Sequence, residues 1–137
     1  MKFATWGAVM LMLGVTFGAF GAHALKAHLD TVALGWWQTG VDYQMWTGAG
    51  LFALGLTSES RGHNTLKRRG GYLLCLGICI FSGSLYCMAL TGHRWLGAVT
   101  PIGGCALIFG WAALALAFRR SKDADQGSEM TVTDRER

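Results

Sequence analysis

Charge is scarce in this sequence. Only 15% of its residues are Asp, Glu, Lys or Arg, where a soluble domain carries about a quarter. The difference is taken up by an apolar content of 52%. A chain of 137 residues has no interior large enough to hide that much apolar surface, so the excess must face lipid. Proline is reduced to one residue, Pro101, so almost nothing breaks a helix. Convincing strands are lacking as well, and with them the strand-borne glycine loops that hold nucleotide phosphates. The formal net charge is +4, but the basic residues sit at the ends of apolar runs and not among stacking aromatics on a polar face, which excludes nucleic acid as a partner. Cys75, Cys79, Cys87 and Cys105 lie inside apolar stretches. They make neither a secreted disulfide framework nor a CxxC zinc signature, and read as reduced thiols.

What is present in quantity is glycine, with 20 residues, a bias of membrane helices whose backbones approach closely. The first apolar run covers 3–25 without an Asp, Glu, Lys or Arg. As a helix it reaches about 35 Å, enough for a hydrocarbon core of about 30 Å. Lys2 before it and Ala22-His23-Ala24 at its end imitate a signal peptide, but the run exceeds the roughly 7 to 15 residues of a signal core. Residues 26–40 are polar enough to leave the bilayer, yet Leu29, Val32, Ala33, Trp36 and Trp37 recur at helical spacing. This predicts a short interfacial helix with both tryptophans at headgroup depth. A second span over 41–57 is the weakest, because Asp42 and Gln44 fall in its first turns. A third, 71–90, has no formal charge at all. The fourth, 96–118, contains Thr100-Pro101; Thr100 is expected to cap a helix starting at Pro101, with 92–100 irregular near the interface. From 119 to 137 the chain has almost no large apolar residue and is expected to be a disordered tail.

These elements predict an all-α membrane protein: four transmembrane helices arranged as two antiparallel hairpins within residues 1–118. Lys2, the basic loop with Arg61, Lys67, Arg68 and Arg69, and the tail then share one face, leaving only Lys26 and Arg94 of the 12 Lys and Arg residues on the other. Basic segments resist translocation, which puts both termini in the cytoplasm and the protein in the plasma, or inner, membrane.

Three stretches carry a resemblance: Gly18-Ala19-Phe20-Gly21-Ala22-His23-Ala24-Leu25, then Gln38-Thr39-Gly40-Val41-Asp42-Tyr43-Gln44-Met45, then Phe81 to Tyr86 running on through 90–104, with Leu90-Thr91-Gly92-His93-Arg94-Trp95 and Thr100-Pro101-Ile102-Gly103-Gly104. Their order and content resemble the small four-helix membrane proteins of the domain of unknown function 423 family, the UPF0382 inner-membrane proteins, with relatives called transmembrane protein 256. The resemblance covers about residues 3–118 and implies topology, not chemistry. Relatives follow the Tyr-Gln-Met segment with an aromatic residue and a histidine. Here Trp46 is followed by Thr47, so no role of that histidine carries over.

Several patterns could carry chemistry. Gly71, Cys75, Cys79, Gly83 and Cys87 recur every four residues and form one helical stripe. A thiol pair could hold a soft metal, but no histidine or carboxylate shares the helix, so the stripe reads as a packing seam through Cys79 and Gly83. Gly14 and Gly18 on the first helix, and Gly103 and Gly110 on the fourth, read as packing positions as well. Ser82 and Ser84 have no general base near in sequence. What remains is a polar cluster assembled by topology: His23, Asp42, Gln44, His93 and Arg94, all expected at the non-cytoplasmic face. Ionisable groups there are costly and often functional; the plainer reading is interfacial residues that tie loops together.

The sequence therefore predicts no catalytic residue, metal or cofactor. It predicts a non-catalytic accessory, assembly or scaffold protein that works through helix contacts, with the bilayer and another membrane protein or a second copy as partners. The alternative is a small proton- or ion-coupled transporter using the polar cluster, and a weaker one is a haem or metal protein using His23 and a thiol.

Overall fold

The computed structural model describes residues 2–57 and 64–135. Glu59, Arg61 and His63 of the basic loop, and Arg137, lie outside the described residues. Every regular element described is helical: α1 over Lys2–His23, α2 over Thr31–Leu56, α3 over Asn64–Thr91 and α4 over Thr100–Arg135. Short 3-10 turns at Leu25–Ala27 and Arg94–Ala98 join α1 to α2 and α3 to α4. Among the described residues, three stretches are long and apolar enough to cross a membrane: Lys2–Ala27, Thr65–Thr91 and Arg94–Lys122.

The second helix differs from expectation. In place of an interfacial helix followed by a separate span, one helix runs without a break from Thr31 to Leu56. The reason is local. Asp30 takes extended backbone geometry and its carboxylate accepts the Ala33 amide at 2.7 Å, which is the capping bond that starts a helix. No proline follows before Leu56. At about 39 Å the helix is long enough to cross a bilayer, but Gln38, Asp42 and Gln44 keep it out of the apolar set.

The other boundaries have equally local causes. Gly92, at φ +72°, adopts the left-handed conformation that stops a helix, and its amide closes on the Met88 carbonyl at 2.9 Å. Helix α4 opens at Thr100, one residue before the expected start at Pro101, and the Thr100 hydroxyl does not cap: it lies 2.8 Å from the Ser84 hydroxyl and donates back to the Leu96 carbonyl at 3.3 Å. At its far end α4 continues to Arg135, where the sequence reading ends the helix at Phe118 and expects disorder. Beyond Pro101 there is no proline, and the segment after Phe118 holds one glycine, Gly127, so nothing in it interrupts the ladder.

Helices α1 and α2 form one antiparallel hairpin, α3 and α4 another, and α2 packs on α3 to join them. Two apolar clusters make the core. Leu51, Leu54, Leu74, Ile78, Leu107 and Leu114 fill one end, and Leu25, Ala33, Trp37, Val41 and Ala89 the other.

Small residues at seven-residue spacing let the hairpins close. On α1, Gly7, Gly14 and Gly21 are all buried. A Cβ on Gly14 would come within 2.5 Å of the Met45 sulfur, one on Gly7 would strike the Phe52 backbone, and Gly18 faces Val41 at 3.5 Å. In the second hairpin, a Cβ on Gly103 would lie 2.5 Å from the Phe81 amide, one on Gly77 2.9 Å from the Leu107 amide, and one on Gly110 2.8 Å from the Leu74 side chain. Gly14, Gly18, Gly103 and Gly110 therefore stand in or beside helix contacts. Cys79 and Gly83 do not. Cys79 is exposed, and a Cβ on Gly83 would meet nothing within 4 Å. The face of α3 turned to α4 passes through Gly70, Leu74, Gly77 and Phe81, and the thiol stripe is rotated away from it.

Candidate functional site

The five residues of the expected polar cluster are divided between the interior and the surface. Gln44 is in the interior, 4% exposed, whereas His23, Asp42, His93 and Arg94 are exposed. The burial of Gln44 follows from its place on α2: Trp37, Val41, Gln44, Thr47, Gly48, Leu51 and Leu54 recur three and four residues apart and form the buried stripe of that helix. Both polar atoms of its amide have partners. The Nε2 group donates to the Met10 carbonyl of α1 at 2.9 Å, and Oε1 accepts the Tyr86 hydroxyl of α3 at 2.9 Å. One side chain thus ties three helices.

An aromatic group stands over this tie. Trp37, only 5% exposed, packs on Tyr86 with ring centroids 4.7 Å apart and on Phe17 at 5.7 Å, while Phe17 meets Tyr86 edge-on at 5.2 Å. The Trp37 indole donates to the Phe17 carbonyl at 2.8 Å. Glycine makes the room: a Cβ on Gly21 would lie 2.6 Å from the indole, and one on Gly40 2.7 Å from the Tyr86 ring. Trp37 is therefore an interior residue, not the headgroup anchor its neighbours in sequence suggested. Ser82, buried on α3, donates to the Gly40 carbonyl at 2.7 Å. Among the described residues no buried side-chain nitrogen or oxygen lacks a partner. A satisfied polar interior of neutral groups fixes helix register.

Asp42 faces the other way. Its Oδ1 accepts Gln38 Nε2 at 2.7 Å, one turn back on α2, and not the Arg94 guanidinium, which belongs to the turn between α3 and α4. Nor does Asp42 stand at a helix end. It is beside Val41, which faces Gly18 of α1, and α1 runs on from there to His23, about 8 Å further along the axis. Around it the outer face of α2 is exposed at Gln38, Thr39, Tyr43 and Trp46, the last 76% exposed. A carboxylate, an amide and two aromatic rings thus share a lateral surface set inward from the helix start.

Among the described residues, no three His, Cys, Asp or Glu side chains converge on one point, so no metal ligand set is assigned. Tyr86, Ser82 and Trp37 are the site residues that sequence reasoning missed. The signal available was the helical stripe through Gln44: a stripe that also carries Trp37, Val41, Leu51 and Leu54 turns the glutamine inward, where it requires partners from other helices.

Comparison with known proteins identifies the family. The family model described as protein of unknown function (DUF423) matches residues 17–104. A UPF0382 membrane protein of Staphylococcus haemolyticus is 44% identical over 115 residues, covering 84% of this chain and 93% of the relative. The UPF0382 membrane protein YwdK of Bacillus subtilis is 38% identical over 115 residues, with 84% and 94% covered. The UPF0382 inner membrane protein YgdD of Escherichia coli K12 is 36% identical over 117 residues, with 85% and 88% covered. No solved structure matches the chain.

Proposed function

Since the chain belongs to the DUF423 family of membrane proteins, whose description assigns no activity, we propose that it is a non-catalytic accessory protein that binds another membrane helix through the outer face of α2. On this reading α2 crosses the bilayer with the three more apolar helices, giving four spans, and both termini face the cytoplasm. The observation that carries it is the exposed Gln38–Asp42 pair beside Tyr43 and Trp46. Lipid tails offer such groups no hydrogen bonds, whereas a neighbouring helix with polar side chains does. The partner is another membrane protein or a second copy of this chain.

The carrier reading has less support. A proton or ion path needs ionisable groups along the interior, and among the described residues the buried polar side chains are neutral: Gln44, Thr47, Ser82 and Ser84. Co-purification from native membranes in mild detergent tests the proposal. The wild-type chain should bring down a stoichiometric partner, or migrate as a dimer, and Gln38→Leu with Asp42→Leu should release it. A monomer without partner that conducts protons in proteoliposomes, and loses that flux with Asp42→Asn, would replace the scaffold with the carrier.

A further inference from the structure

Toward their C-terminal ends α2 and the membrane part of α4 run side by side in the same direction, leaving an apolar groove of about 340 Å³ between them. Gly50, Ala53 and Thr57 line one wall, and Trp111, Ala115 and Phe118 the other. One end is closed, because the Trp111 ring lies against Gly50 so tightly that a Cβ there would collide with it. From Gly50 to Thr57 the groove extends about 10 Å, some two thirds of the roughly 15 Å depth of one leaflet's hydrocarbon. Its single hydroxyl is already used, since Thr57 Oγ1 donates to the Leu54 carbonyl at 2.8 Å. The wall is almost wholly apolar and suits an apolar group.

The other end is basic. Lys67 Nζ lies 4.6 Å from the centroid of the Phe118 ring, so a cation sits on the residue that forms the mouth. Arg68 and Arg69 precede the span of α3, and Arg119, Arg120 and Lys122 follow Phe118 on α4, all of them exposed. The first acidic residue after Phe118 is Asp123, beyond them.

We propose that this groove is a binding site for one anionic glycerophospholipid, with an acyl chain between α2 and α4 and the phosphate held by Lys67 and its basic neighbours. An apolar slot that opens onto a cluster of cations matches a molecule with an apolar tail and an anionic head. A partner helix fits poorly: at about 10 Å diameter it would displace roughly twice the volume available over that length. The groove begins eight residues beyond Asp42 on the same side of α2, about 12 Å further along the axis, and its test, which reads lipid retention, does not depend on the accessory role.

Native mass spectrometry of the full chain in mild detergent, with phosphatidylglycerol, phosphatidylcholine or inorganic phosphate added, reads the site directly. One phosphatidylglycerol per chain should be retained, with phosphatidylcholine and phosphate each bound about tenfold more weakly. Lys67→Gln should weaken phosphatidylglycerol about fivefold, the worth of one lysine beside an anionic surface, and Ala115→Phe, which fills the groove, should do so at unchanged helix content. Lys26→Gln, at the opposite end of the bundle, should leave retention as it is. Equal retention of phosphatidylglycerol and phosphatidylcholine would overturn the proposal, as would full retention by Lys67→Gln, or an equal loss with Lys26→Gln.

Discussion

The Tyr86 hydroxyl donates to Gln44 Oε1 at 2.9 Å, and that one bond links the two hairpins through their centre. Because Gln44 also donates to Met10 on α1, loss of Tyr86 leaves half of a buried amide without a partner. Tyr86→Phe and Gln44→Leu should each lower stability in detergent by about 1 kcal/mol, in the range of interhelical hydrogen bonds in membranes. The double variant should lose less than the sum. Reversible unfolding in mixed micelles measures all three, and strict additivity would show the bond to contribute nothing.

The glycines separate into two classes that one experiment distinguishes. Gly103→Val should lose roughly 1 to 3 kcal/mol or fail to accumulate, because its Cβ site is 2.5 Å from the Phe81 backbone, which cannot yield as a side chain can. Gly83→Val, with nothing within 4 Å, should fold normally. Melting temperatures of the two purified variants decide it, and equal losses would contradict the helix contacts described.

Asp42 and Arg94 should behave as strangers. With Gln38 as its partner and an exposed position, Asp42→Asn should change stability by less than about 0.5 kcal/mol in the isolated protein. Combined with Arg94→Gln the effects should add. A coupling above that size in a double-variant cycle would mean that the two side chains meet in solution.

The crossing of α2 can be read chemically. In a chain freed of its cysteines, three of which are exposed and none disulfide-bonded, single cysteines at Asp30 and Thr57 flank α2. An impermeant thiol reagent added to intact cells should reach Asp30→Cys and not Thr57→Cys, and the pattern should reverse in inverted vesicles. Labelling of both from one side would make α2 a helix that does not cross.

Much of this fold is written plainly in the chain. The charge-free run of α3 and the Thr91-Gly92 stop are visible without coordinates, because length and composition alone set them. The start of α2 was legible too, in Asp30-Thr31, but the polar composition of 26–40 competes with that cap and suggests a break that does not occur. The seam between α3 and α4 was not legible. Cys79 and Gly83 repeat at four residues and Gly70 and Gly77 at seven, and only the partner helix decides which stripe is inside. The polar cluster divides for a similar reason. Topology brings helix ends to one level, but rotation about each axis separates inward Gln44 from outward Asp42, two residues apart on the same helix.

The buried glycines Gly7, Gly14 and Gly21 bear on how the protein enters a membrane. With α2 spanning, its Gln38, Asp42 and Gln44 make it a poor passenger on its own, since each polar group raises the cost of leaving the translocation channel for lipid. Helix α1 offers it a smooth glycine track on which Met45 and Trp37 can settle and a carbonyl, that of Met10, for the Gln44 amide. Insertion is then an event of two helices at once, with α1 waiting at the channel as a companion for α2 during synthesis. A bulky residue at Gly14 would register first as a defect of biogenesis, with α2 left outside and degraded, before any property of the finished bundle could be measured.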